Sequence, residues 1–176
     1  MVILEAAVDE LAEVGYGGVT IESVAARAGV GKSTIYRHWS DKLALIADAF
    51  ETFHVQMVPV LSDRSARESV ELLLGHVAEV VLDSTWSRCI PALIEGAARD
   101  TRVRDFHHGY SAARRQALID LIARGVEDGE FRAGLDPELA TTALLGAIFY
   151  RRLMTGEPLG PDRAGEVVEM ILGSTE

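Results

Sequence analysis

Apolar residues recur at helical spacing along almost the whole chain. Near the start, Leu4, Ala7, Val8, Leu11 and Ala12 follow the i, i+3, i+4 rule, with Glu5, Asp9, Glu10 and Glu13 on the opposite face. Gly15, Gly17 and Gly18 end that helix. Thr20 is placed to cap the next one, which turns Val24, Ala25 and Ala28 inward and stops at Gly29. A short segment from Lys32 to Trp39 follows. Ser40 is read as the cap of a longer helix with the stripe Leu43, Ile46, Ala49, Phe50, Phe53 and Met57, which Pro59 kinks or ends. Further helices are predicted over Ala66–Leu82, Trp86–Ala98, Arg102–Asp128, Pro137–Met154 and Asp162–Leu172. Asp136-Pro137 is a start signal, and Gly156 to Pro161 is a turn. No window alternates apolar and polar residues long enough to require a strand. The pattern predicts an all-α protein of about nine helices.

Composition bounds what such a bundle can do. The chain has 176 residues, 48% hydrophobic and 25% charged, an ordinary globular balance. A net charge of −10 argues against a protein coated in basic residues for non-specific nucleic-acid binding. The single cysteine, Cys89, excludes an intramolecular disulfide and a cysteine-rich zinc site, and fits a reducing compartment. The short apolar start runs at once into Glu5 and Asp9, so no signal peptide is readable, and no apolar run approaches the roughly 20 residues a membrane helix needs. The expectation is a cytoplasmic protein with no membrane partner. His107 and His108 diverge by about 100° on a helix, and His76 with Glu79 lacks a third ligand, so no metal or cofactor is expected. No Ser/His/Asp order or carboxylate pair supports catalysis, and none is predicted.

The informative stretch is Thr20 to Lys42, TIESVAARAGVGKSTIYRHWSDK. Two short helices are joined by Ala28-Gly29-Val30-Gly31, with glycine for the sharp reversal. This is the helix-turn-helix plan, in which the second helix enters the major groove. Ile35 and Trp39, four apart, face inward together. Lys32, Ser33, Thr34, Tyr36, Arg37 and His38 remain outside as cations, hydroxyls and aromatics. From Tyr16 to Trp39 the cations are Arg27, Lys32 and Arg37, and the one acid is Glu22. Residues 1–50 carry four Lys+Arg and seven Asp+Glu, but the other six acids fall outside that window. A small basic reading head therefore sits on an acidic body.

These residues resemble the DNA-binding domain of the TetR (tetracycline repressor) family of bacterial transcriptional regulators. The match runs through Val14-Gly15-Tyr16, Thr20 to Ala25, Ala28-Gly29-Val30, Ser33 to Trp39 and Asp41-Lys42. The resemblance implies a DNA-facing set of Thr20, Lys32, Ser33, Thr34, Tyr36, Arg37, His38 and Lys42. It implies a helix-turn-helix domain over residues 1–50 and a helical effector-binding and dimerisation domain over 51–176. Gly146 to Leu153, followed by Thr155-Gly156-Glu157-Pro158, looks like a C-terminal subtype of that family. Members often carry a basic arm before the first helix. No basic residue precedes the first helix in the sequence starting Met1-Val2-Ile3-Leu4, so either an arm lies upstream of it or this member lacks one.

The function implied is a ligand-responsive DNA-binding regulator, best read as a repressor released from its operator by a small molecule. Its partners would be double-stranded DNA with a palindromic operator, an effector of unknown identity and a second copy of the chain. An effector pocket could be lined by Phe53, His54, Met57, Trp86, Cys89, Phe106, Tyr110 and Phe149, with Gln56 and Tyr150 as further polar candidates, although such stripes also make plain core. Ala140, Ala143, Leu144 and Ala147, with Val167 and Ile171, make a small-residue and apolar pair of helices suited to a dimer interface, or simply to finishing the core. Two alternatives stand beside this. Gly31-Lys32-Ser33 ends like a phosphate-binding loop, which would mean a nucleotide-binding enzyme, but position 26 is alanine where that motif needs glycine. A DNA-binding dimer answering no effector is the other.

Overall fold

In the computed structural model every regular element is helical over the residues the structure describes, which are 1–57, 63–82 and 85–173 (backbone only for 54–57). The elements are α1 (Val2–Gly18), α2 (Ile21–Ala28), α3 (Lys32–Tyr36), α4 (Lys42–Met57), α5 (Ala66–Leu82), α6 (Thr85–Arg99), α7 (Thr101–Glu127), α8 (Pro137–Tyr150) and α9 (Ala164–Leu172). A π-helical turn, Arg151–Thr155, extends α8, and a 3-10 turn, Pro161–Arg163, leads into α9. The all-α class read from the periodicity is the observed one. Pro59 lies outside the described residues.

The chain divides into two compact units. The first is Met1–Met57 with Ser84–Gly109, and the second is Val58–Asp83 with Tyr110–Glu176. In the first, α1 packs most extensively on α6 and also meets α2 and α4. Leu11, Val24, Ile35, Leu45, Ile46, Leu93 and Val103 fill its interior, each almost wholly buried. The helical run of α1 breaks at Gly15, whose φ of 70° and ψ of 168° leave the helical region. That break turns Tyr16 into the interior, where it lies against Gly96 of α6. A Cβ at position 96 would stand 3.0 Å from both Cβ and Cγ of Tyr16.

The caps explain where the short helices begin and end. Thr20 Oγ1 accepts the Ser23 backbone N–H at 3.0 Å, and Ser23 Oγ accepts the Thr20 N–H at 3.2 Å, a reciprocal capping box at the start of α2. Gly29 ends α2 in the left-handed region, φ 67°, which an L side chain adopts at a cost. The cap of α4 is Asp41, not Ser40. Asp41 Oδ1 accepts the Ala44 N–H at 2.9 Å, since a carboxylate one residue nearer the first turn reaches that free amide.

The second unit is held by α5 against α8 and α9. Leu74, Leu118, Ile122, Phe131, Leu144, Ile148 and Leu172 are its largest buried side chains. Phe131 lies so close to Gly125 of α7 that a Cβ there would overlap two ring carbons. Glu130 supplies the carboxylate that caps α5, accepting the N–H of Ala66 and of Arg67, both at 2.9 Å. Asp136 caps α8 through the N–H of Glu138 and Leu139, with Pro137 in the first turn, as the Asp-Pro pair predicts. Among the described residues no helix is long and apolar enough to cross a membrane.

Candidate nucleic-acid interface

The recognition helix is short because its N-terminus must follow a tight turn and its C-terminus is pulled inward. Gly31 is its extended N-cap, and Ile35 is fully buried beneath it. Trp39 is half-buried and donates Nε1–H to Asp48 Oδ2 of α4 at 2.8 Å, which ties the end of the reading head to the following helix. His38 stacks at a tilt against Trp39, ring centres 5.5 Å apart. Burying Ile35 leaves Lys32, Ser33, Tyr36, Arg37 and His38 exposed and Thr34 half-exposed. Tyr36 has 54% of its surface in solvent, unusual for an aromatic without a partner to meet. Every residue of the outward set predicted for this segment is therefore exposed or half-exposed. Thr20 is exposed at the start of α2, though its hydroxyl already serves the capping box.

Two cations of the region are turned to internal tasks. Lys42 donates Nζ–H to the carbonyls of Tyr16 at 2.8 Å and Val19 at 3.0 Å, and its ammonium sits 4.5 Å from the centre of the Tyr16 ring. It joins the end of α1 to the start of α4 and leaves the outward set. Arg27 donates Nε–H to Glu10 at 2.9 Å and both terminal nitrogens to Glu13, pinning α2 to α1. That pairing raises the Arg27 pKa and holds the Glu13 carboxyl below its ordinary value, with the shared hydrogen bonds as the largest cause. Lys32 is exposed and bonded to Glu22 at 3.0 Å. Asp41 also accepts from Arg102 of α7 at 2.7 Å. The Ala44 amide, then Arg102, draws its carboxyl pKa below the usual range. Sequence pattern singled out neither Tyr16 nor Arg102, because their partners, the Lys42 ammonium and the Asp41 carboxylate, lie 26 and 61 residues away.

The run Gly29 to Thr34 is thus a three-residue turn followed by the first residues of α3, with α2 where a phosphate-binding loop needs a strand. The description of bacterial regulatory proteins of the tetR family matches residues 3–49, and that of the tetracyclin repressor-like C-terminal domain matches residues 63–171. The chain belongs to the TetR family. It is a helix-turn-helix transcriptional regulator, and proteins similar to this TetR member share that description. An HTH-type transcriptional regulator of Bacillus subtilis, YdeS, is 33% identical over 94% of this chain and 84% of its own. The regulator FadR of Bacillus subtilis, solved with stearoyl-CoA, has TM-score 0.76 at 21% identity, covering 100% of this chain and 99% of its own. AibR, solved with isovaleryl coenzyme A and operator DNA, has TM-score 0.71 at 20% identity, covering 98% and 97%.

The effector candidates of this TetR chain fall into separate groups. In the first unit Phe53 meets Trp86 at 5.9 Å, Trp86 meets Phe50 at 4.4 Å and Phe50 meets Phe106 at 6.0 Å, an edge-to-face aromatic cluster of α4, α6 and α7. Beside it a cleft of about 320 Å³ is lined by Glu5, Val8, Asp9, Phe53, Thr85 and Trp86. Cys89 is fully buried, its thiol donating to the Val8 carbonyl at 3.5 Å, and burial raises its pKa to about 12. Tyr110 and Phe149 belong to the second unit, where Tyr110 lies under the Arg114 guanidinium at 3.2 Å. The side chains of His54, Gln56 and Met57 lie outside the described residues. His76 is half-buried, and desolvation lowers its pKa against the pull of Glu79. No group of three or more metal-binding side chains occurs among the described residues.

The dimer candidates divide by face. Ala140 and Leu144 are buried within the second unit, as are Thr141 and Ile148. On the opposite side of α8, Leu139, Ala143, Gly146 and Tyr150 follow i, i+4, i+7, i+11 spacing and are all exposed, Leu139 at 67% and Tyr150 at 64%. On α9, Val167 and Ile171 are half-exposed and Met170 is 81% exposed. α8 is apolar on nearly every side, so pattern alone could not say which side the core uses.

Proposed function

We propose that this regulator is a homodimeric, effector-responsive repressor of a palindromic operator. The exposed polar face of α3 over a buried Ile35 carries that reading: a five-residue helix with no apolar surface left outward except Tyr36 has little reason to exist except to meet a partner. Residues 1–50 hold the reading head and 51–176 the effector and dimer functions. Ser33, Thr34, Tyr36, Arg37 and His38 meet base edges and phosphates, with Lys32 and Thr20 at the flanking backbone. Lys42 acts by positioning α4 under the head. The exposed stripe Leu139, Ala143, Gly146 and Tyr150, with Met170, Val167 and Ile171, packs against its symmetry mate, because two recognition helices must reach successive major-groove faces.

For the effector we propose a coenzyme A thioester. Two fold relatives, FadR and AibR, were solved with such molecules, and a fatty acid metabolism regulator of Bacillus subtilis is 25% identical over 84% of this chain. The thioester would favour the conformer in which the two heads are misplaced for the operator, which requires unequal affinity for the two states. A gel shift on the DNA upstream of its own gene tests both parts. Salt-sensitive binding is expected, lost in Tyr36→Ala, and released by an acyl-CoA from a series of two to eighteen carbons. Binding that ignores Tyr36→Ala removes the assignment of the head; binding that no thioester relieves removes the effector class.

A further inference from the structure

Between Tyr16 and Trp39 the chain has one carboxylate, and the fold brings it onto the lysine of the recognition helix. Glu22 lies in the first turn of α2, ten residues before Lys32, and its Oε1 accepts from Lys32 Nζ at 3.0 Å across the turn. The other cations of the head are in different situations. Arg27 is held by Glu10 and Glu13 on α1, away from α3. Arg37 is exposed and has no ion-pair partner among the described residues. Lys32 alone is both on the reading face and restrained.

Both members of the pair are well exposed, the side chains at 56% for Lys32 and 60% for Glu22. An ion pair in that setting is weak, so another anion can replace the carboxylate. A duplex of arbitrary sequence is held mainly by phosphate charge in a loosely seated complex. There, a paired lysine and a nearby carboxylate both reduce attraction. On a matching site the hydroxyls and aromatics of α3 fix the helix in the groove, and Lys32 can exchange carboxylate for phosphate at a set distance.

We propose that Glu22 is a specificity-determining residue of the DNA interface. It withholds Lys32 from phosphate on arbitrary duplexes and yields it where the recognition helix seats on its operator. This rests on the reading of α2 and α3 as the operator interface.

The test measures binding by fluorescence anisotropy between 50 and 200 mM salt, on a random 30-base-pair duplex and on the fragment upstream of its own gene. In Glu22→Gln, the random duplex should bind about three- to tenfold tighter, with its log–log salt slope steeper by about 0.9, the mark of one more phosphate contact. The upstream fragment should change less than about twofold with its slope unaltered, because Lys32 already makes that contact there. The double variant Glu22→Gln, Lys32→Gln should return the random duplex to wild-type binding. Equal tightening on both duplexes, an unchanged random-duplex slope, or a gain that survives in the double variant each overturns the proposal. If no upstream fragment is bound above random sequence, the operator reading fails instead, and the random-duplex slope still decides whether Glu22 restrains Lys32.

Discussion

A lysine held by helix-end carbonyls has a different task from one held by phosphate, and Lys42 is of the first kind. Its bonds to the carbonyls of Tyr16 and Val19 satisfy acceptors at the C-terminal end of α1, where the helix offers no further N–H partners. Lys42→Met should lower stability by about 1.5–3 kcal/mol, the range for hydrogen bonds to a charged group. Operator affinity should weaken while the salt slope stays that of the wild type, whereas loss of a phosphate contact would flatten it by about 0.9. Cys89 offers a second test at this scale. With its pKa near 12 and its surface covered, the thiol stays protonated and shielded at neutral pH. Native protein should fail to react with an aromatic disulfide reagent over an hour, and denatured protein should react within minutes. A fast native reaction would mean that α6 opens from α1.

Among the elements, the junction of α5 with the segment after α7 has the clearest pH signature. The Glu130 carboxyl lies below its ordinary value of 4.5, chiefly through the backbone N–H of Arg67, with burial opposing and Ala66 adding to the shift. A lowered folded-state value means stability that is fully present above pH 4.5 and is lost as pH falls through the native value. Glu130→Gln should therefore cost about 1 kcal/mol at pH 7, as loss of a cap does, and show a flatter decline in melting temperature on acidification. Gly125→Ala should be far worse, since its Cβ would occupy the Phe131 ring. The helices themselves were largely legible. Thr20 and Asp136 announced their caps through residue type and the residues that follow them. The long helices announced themselves through spacing. What was not legible follows one physical rule. The acceptors of Lys42 are backbone carbonyls 23 and 26 residues away, and the acceptor of Arg102 is 61 away, so no local pattern records them. A lysine beside Asp41 reads as surface until the fold supplies its partners. Likewise the two sides of α8 carry similar alanine and leucine, and only packing distinguishes Leu144 from Ala143.

For the whole molecule, the exposed sides of α8 and α9 set the expected assembly. Leu139→Glu with Met170→Glu should convert the proposed dimer to a monomer by sedimentation, with the helical circular dichroism preserved, because both side chains are exposed in the single chain. Operator affinity should fall with it, since each head alone reads only a half-site. A dimer that survives both substitutions would place the interface elsewhere.

The head is continuous in sequence over residues 3–49, yet α1 finds its main cover in α6, where Cys89 meets Val8 from 81 residues further on. Building chimaeras by joining the head of one regulator to the body of another at residue 50 would therefore divide a single packed core between two parents. Tyr16 would meet a foreign side chain in place of Gly96, Val8 would lose its Cys89 thiol, and Asp41 would lose Arg102. A graft that also carries residues 85–109, or restores those three pairs, keeps its core intact. The unit of inheritance that can be exchanged cleanly is thus two segments, and recombination at one crossover breaks it.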